Sequence, residues 1–415
     1  MKRVFILLLF CLLPLFAEGS KVSLGIDVFF SHPIQKRLNQ KKIGLLSNAA
    51  SLNGSLEPSY EAVKRGEGAH GYTLTVLFTP EHGLKAAIPA EHENKTVDSY
   101  QGIPVYSLHR FEKKTIKPII ESLDFIVCDL QDIGSRSYTY ATTLFHLMEI
   151  AAECQKPIIV LDRPNPINGL VVDGPLLQHR WRSMVGYVNV PYCHGMTLGE
   201  LALFFNEEYH VGASLTIIPM EGWKRSMTFH ETGLPWIPSS PNIPESTTPL
   251  YYPMTGILGE LHCVNIGVGQ PLPFRIVTAP WIDAKRFSTH LNAQKFPGVR
   301  FIPYHTEPKT GTFAGKECAG VLIVVTDHKK YKPVSTQYLI IGILKSLYPK
   351  EFQQAVNASL HRKEMFCKVN GTDEVYTIMT ENKYIVWKLK GLHEKERQKF
   401  SALRKKYLLP SYPTR

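Results

Sequence analysis

At 415 residues, 44% apolar and 20% charged, the chain has the balance of an ordinary globular protein and the length for two domains, each with its own core. This excludes a disordered or low-complexity polymer, and no repeat of solenoid length runs through it. The net charge of +11 is dispersed, with mild clusters at Lys113–Lys114 and Lys395–Lys406 and no aromatic-interleaved basic stripe; nucleic acid is therefore not an expected partner, whereas anionic substrates or surfaces are compatible.

In chain order, Lys2 and Arg3 precede an apolar run from Val4 to Phe16, closed by the small residue Ala17. Residues 1–17 read as a cleaved secretory signal, since the run is too short to span a bilayer comfortably. Cys11 lacks the small residue that normally precedes a lipoprotein cysteine. The expected location is exported, periplasmic or secreted, with no membrane span after cleavage. Six cysteines then remain, Cys128, Cys154, Cys193, Cys263, Cys318 and Cys367, without C-x-x-C or framework spacing. Buried free thiols are expected, and neither a metal nor another cofactor is signalled.

Short apolar runs then alternate with helical patterns, the signature of a parallel sheet covered by helices. Ile43–Ser47, Thr73–Phe78, Phe125–Asp129, Ile158–Asp162 and Leu215–Pro219 read as strands. Ser59–Arg65, Ile116–Ser122, Thr142–Cys154 and Leu198–Tyr209 read as helices, the last opened by a capping box of Thr197 and Glu200. The stretch from Trp236 to Pro253, with Pro238, Pro241, Pro244, Pro249 and Pro253, reads as a rigid loop. Beyond it, strand-like runs at Phe274–Thr278 and Val321–Thr326, a helix near Gln337–Leu347 and a charged helical tail at His393–Lys406 suggest a smaller α+β domain. The expected architecture is α/β: a Rossmann-like, mostly parallel sheet domain over 20–240, then an α+β domain over 241–415 that completes a cleft.

Polar residues cluster where strands end. Asn48 follows the first strand, Glu81 and His82 the second; Asp129 ends the third, with Asp132 and Arg136 just beyond; Asp162, Arg163 and Asn165 follow the fourth. Ligands of open parallel sheets bind beyond these carboxyl ends. Glu81 and His82 form a pair suited to proton transfer, although a turn stabilised by Gly83 explains the same residues. The segment from Asp129 to Tyr140, Tyr138 included, is dense in hydrogen-bonding groups; carboxylates suit sugar hydroxyls and Arg136 a substrate carboxylate, against the plainer reading of an Asp132–Arg136 pair holding the loop. His194 leads into a helix, and Trp236 offers either a stacking face or a core ring. Glu91, His92 and Glu93 lack H-E-x-x-H spacing. No G-x-G-x-x-G follows the first strand, and neither a P-loop nor a G-x-S-x-G elbow occurs, so the fold alone assigns no function.

Seven segments in order carry a resemblance. They are I-G-L-L-S-N at Ile43, P-E-H-G at Pro80, P-V-Y-S-L at Pro104, D-L-Q-D-I-G-S-R-S-Y-T-Y at Asp129, D-R-P-N-P at Asp162, H-G-M-T-L-G-E-L-A at His194 and P-S-S-P-N-I-P at Pro238. This series resembles the NamZ family of exo-β-N-acetylmuramidases across most of the chain. The resemblance implies a Rossmann-like domain and a smaller C-terminal domain with the active site between them. It also implies release of non-reducing terminal N-acetylmuramic acid (MurNAc) from peptidoglycan fragments such as MurNAc-GlcNAc and muropeptides.

On that reading Glu81 is the general acid, tuned by His82, with Asp132 or Glu260 handling water or the oxocarbenium charge. Arg136 and Arg163 are candidates for the lactyl carboxylate, while Asn48, Asp129, Tyr138, Asp162, Asn165, His194, Trp236, Ser240 and Asn242 are substrate-binding candidates. The chain departs from the family pattern at Leu84–Glu93 and at Leu261–Gly269. A non-catalytic fragment-binding protein on the same fold, and a hexosaminidase or amidase, are the competing readings.

Overall fold

The computed structural model describes residues 22–85, 98–109 and 111–414. The expected signal at 1–17 and the group Glu91, His92 and Glu93 lie outside them. Strands β1 (Lys42–Ser47), β2 (Thr73–Thr79), β3 (Asp98–Tyr100), β4 (Ile103–Ser107), β5 (Phe125–Asp129), β6 (Ile158–Leu161) and β7 (Leu215–Ile218) build one sheet in the order β3-β4-β2-β1-β5-β6-β7. Only β3 runs antiparallel, as an edge strand against β4. The chain winds outward from β1 in both directions, so the order reverses between β1 and β5, whose ends pair as Ser47 with Asp129.

The strands alternate between two cores because both sheet faces are covered. Ile43, Leu45, Val127, Ile159 and Leu161 pack on one side with Ile26, Phe29 and Val63. Leu46, Ile126, Cys128, Ile158 and Val160 face the other side and meet the helix Thr139–Glu153 through Leu144, Leu147, Met148 and Ala151. The helix Leu198–Glu208 opens with the expected capping box: Thr197 accepts from the Glu200 amide, and the Thr197 N–H donates to the Glu200 carboxylate at 3.1 Å.

The C-terminal lobe holds an antiparallel sheet in the order β8-β10-β9, made of β8 (Ile276–Ala279), β9 (Val299–Thr306) and β10 (Cys318–Val325). Helices Ala284–Ala293 and Pro333–Leu347 accompany it. The apolar cluster on the helix Thr139–Glu153 side continues without a break through Met254 and Ile257 to Val321 and Phe366, so the lobes share a core. All six described cysteines are free thiols, five of them buried and Cys154 half-buried.

The expectation of loop as far as Pro253 fails from Thr248, where a helix runs to Gly259. Pro249 sits in its first turn, where no N–H is needed, and the interior Pro253 is carried by burial of nearly every neighbouring side chain. The Leu258 N–H also donates to Gln337 in the helix behind it, at 3.0 Å.

Candidate active site

Three chain segments bring Glu81 to its position. Residues 80–83 turn sharply off the end of β2: His82 and Gly83 both take positive φ (73° and 72°), and the Gly83 N–H returns to the Pro80 carbonyl at 3.3 Å. Thr139, the first residue of its helix, donates its hydroxyl to Glu81 Oε2 at 2.7 Å. His109, just past β4, places Nε2 3.8 Å from the other carboxylate oxygen, and both side chains are largely buried. The His82 ring meets Tyr140 edge-on.

These groups open onto a cleft of about 850 Å³ between the lobes, a volume typical of small-molecule sites. Glu81, His82, Tyr138, Ser240, Asn242 and Glu260 all line it, and so six of the residues expected from sequence are brought together. Tyr138 donates to Ser239 Oγ at 2.9 Å and Tyr140 to the Ser239 carbonyl at 2.6 Å, fixing the 239–242 loop over the helix start. Burial pushes the Tyr138 phenol up to about 12, so it remains a donor at neutral pH. Asn242 accepts from the Gly269 N–H at 3.1 Å. Glu260 stands just past the helix Thr248–Gly259, its carboxylate bound by Arg362 at 2.8 Å and its carbonyl by the same guanidinium at 3.1 Å.

The remaining expected residues hold the scaffold. Asp129 and Arg163 form a buried two-point ion pair, 2.5 and 2.7 Å, completed by the Ser59 hydroxyl on Asp129 and the Leu52 carbonyl on Arg163. This pair fills the β1–β5 reversal, where a dinucleotide-binding relative would seat its ligand. Asn48 is buried there too, accepting from Ser51 and from the Gln131 N–H. Arg136 is likewise buried: its two terminal nitrogens donate to the carbonyls of Pro175, Val190, Val369 and Asn370 at 2.6–3.2 Å. Neither the substrate-carboxylate role nor an Asp132–Arg136 ion pair fits these contacts, because both arginines are turned to the interior.

Asp162 accepts from Thr197, Tyr412 and the Gly199 N–H; burial and the nearby Glu200 raise it to about 6. Asn165 bridges the Met196 carbonyl and the Ile167 N–H. His194 accepts from the Met196 N–H, and burial lowers it to about 3, keeping the ring neutral. Trp236 donates to the Ile243 carbonyl at 3.0 Å and packs against Phe229 rather than into the cleft. Asp132 is also buried and absent from the cleft lining; it accepts from the Gly134 N–H at 2.8 Å, and burial raises it to about 7.

Sequence reasoning missed His109, Thr139, Tyr252, His262, Arg362 and Lys368, all on the cleft wall. His109 carries the strand-end signal that marks Glu81, but β4 is short and contains Pro104, so its strand went unread. Arg362 and Lys368 come from helical turns with no local mark. Among the described residues no group of three or more His, Cys, Asp or Glu side chains gathers as a metal site.

Comparison with known proteins decides the family. Residues 43–247 match the model for the N-terminal part of exo-β-N-acetylmuramidase NamZ, and residues 250–409 the model for its C-terminal part. The chain belongs to the NamZ family. It is 37% identical over 394 residues to the peptidoglycan β-N-acetylmuramidase NamZ of Bacillus subtilis, covering 95% of this chain and 92% of that one. Two crystal structures of DUF1343 family proteins from Bacteroides fragilis share the fold. One has a TM-score of 0.86 at 35% identity, covering 94% of this chain and 99% of that one; the other scores 0.72 at 27%, covering 95% and 100%. The N-terminal NamZ match supplies Glu81 and Tyr138, and the C-terminal match supplies Glu260 and Arg362. The cleft of this NamZ family member is thus built from both.

Proposed function

We propose that the protein is an exo-acting β-N-acetylmuramidase, a glycosidase that releases non-reducing terminal MurNAc from peptidoglycan fragments after export from the cytoplasm. The observation that carries this reading is one cleft with a carboxylate from each lobe, Glu81 and Glu260, in a chain of the NamZ family. Glycoside hydrolysis needs an acid for the leaving oxygen and a second group for water or the developing positive charge. Glu81, largely buried and hydrogen-bonded by Thr139, is assigned the acid role. Glu260, oriented by Arg362, takes the second role in preference to Asp132, which does not line the cleft. The phenol of Tyr138 and the side chains of Ser240 and Asn242 supply hydrogen bonds for sugar hydroxyl and acetamido groups.

The test is mass spectrometry of the protein incubated with MurNAc-β-1,4-GlcNAc. Release of free MurNAc is expected. Saturable binding without release would replace this reading by that of a fragment-binding protein.

A further inference from the structure

Away from the cleft, two large rings stand in solvent within four residues of each other. Tyr384 is 76% and Trp387 79% exposed, well above any other exposed large apolar side chain among the described residues. The segment that carries them is firmly seated. Ile385 and Leu389 are buried, and Val386 packs so closely on Gly342 that a Cβ there would lie 2.2 Å from its methyl group. Lys345 ties the preceding turn down through the carbonyls of Met379 and Thr380. The aliphatic side chains turn inward, leaving rings and ammonium groups outside.

The charge of the segment that carries the rings is mostly positive. From Val375 to His393, Glu381 is the single acidic residue against Lys383, Lys388 and Lys390. Lys383 Nζ lies 5.4 Å from the Tyr384 ring centre, and Lys390 Nζ lies 4.6 Å from that of Trp387. Exposed aromatic patches of this kind mark binding surfaces. A bilayer surface is matched by a helix with a broad outward apolar face, whereas here Ile385 and Leu389 are buried and the outward apolar groups are the two rings.

We propose that Lys383, Tyr384, Trp387, Lys388 and Lys390 form a second carbohydrate-binding surface that holds polymeric peptidoglycan while the cleft works on a strand end. Sugar rings present C–H faces to the two aromatics, and stem-peptide carboxylates meet the lysines. The proposal rests on the muramidase reading of the cleft.

The test compares the full chain with the double variant Tyr384→Ala, Trp387→Ala in co-sedimentation with purified sacculi, at saturating soluble MurNAc-GlcNAc to occupy the cleft. Sacculus affinity is expected to fall about tenfold, with kcat/KM on the soluble disaccharide unchanged. Lys383→Gln, Lys388→Gln, Lys390→Gln is expected to weaken retention and its salt dependence together. Unchanged retention in the double variant overturns the proposal, as does wild-type retention abolished by the disaccharide. A selective loss of binding to phosphatidylglycerol vesicles would reassign the patch to a membrane, and a ring-dependent dimer in light scattering would reassign it to a second copy. Failure of the wild type to release MurNAc sinks the cleft reading separately, because retention on sacculi and release of MurNAc are read independently.

Discussion

Glu81 and Asp132 are both carboxylates just beyond a strand, but Glu81 lines the cleft and Asp132 does not. Glu81→Gln keeps the shape and the Thr139 contact but removes the transferable proton. A fall in kcat of roughly 10²–10⁴ with little change in KM is expected in steady-state assays; near-normal turnover would move the acid elsewhere. Asp132 instead shapes stability. Its carboxyl is raised to about 7 by burial, so the folded protein binds more protons than the unfolded one between the ordinary carboxylate range and pH 7. Its contribution is therefore fully present below about pH 4 and is lost as pH rises through 7. Relative to wild type, Asp132→Asn is expected to gain stability progressively from pH 4 to 7, by at most about 1.4 kcal/mol per pH unit. Parallel melting curves for the two proteins across that range would show that Asp132 titrates normally.

Elements were legible where their burial pattern is complete. The five parallel strands read from sequence recur within a residue or so at each end, because each is a short apolar run, buried on both faces in β1, β5 and β6 and half-buried at the edge in β7. β9 went unread because Pro303 interrupts it, which an edge strand tolerates. The helix Thr248–Gly259 went unread because its prolines outweighed its apolar character. Of the residues at the strand exits, Glu81 and His82 line the cleft, whereas Asn48, Asp129, Asp162, Arg163 and Asn165 hold the scaffold. The partner of a guanidinium was not legible: the Asn370 carbonyl that binds Arg136 lies 234 positions away. The turn after β5 gives a test at this scale. Gly134 has φ of 79°, and a Cβ there would sit 2.1 Å from Asn165 Oδ1. Gly134→Ala is expected to lower stability by more than about 1 kcal/mol in urea titration, through backbone strain and displacement of Asn165. A neutral result would mean that the loop relaxes freely.

Across the whole molecule, the lobes are joined by a continuous core and by Arg136, which binds Pro175 and Val190 on one side and Val369 and Asn370 on the other. Arg136→Ala leaves those carbonyls unsatisfied at the junction, and a loss of roughly 3 kcal/mol or more is expected. Calorimetry is expected to show one unfolding transition in the wild type and a lower midpoint in the variant; an unchanged midpoint would assign the junction to apolar packing alone. The far end of the chain adds a bond of another kind. The Tyr412 hydroxyl reaches Asp162, 250 positions earlier, and its ring closes over Trp223. Synthesis therefore delivers every strand of the large sheet well before the residue that covers its β6 end. Until Tyr412 emerges, Asp162 lacks one of its three donors and Trp223 lacks the ring that closes over it, so the contacts around the β6 end are completed only late in synthesis.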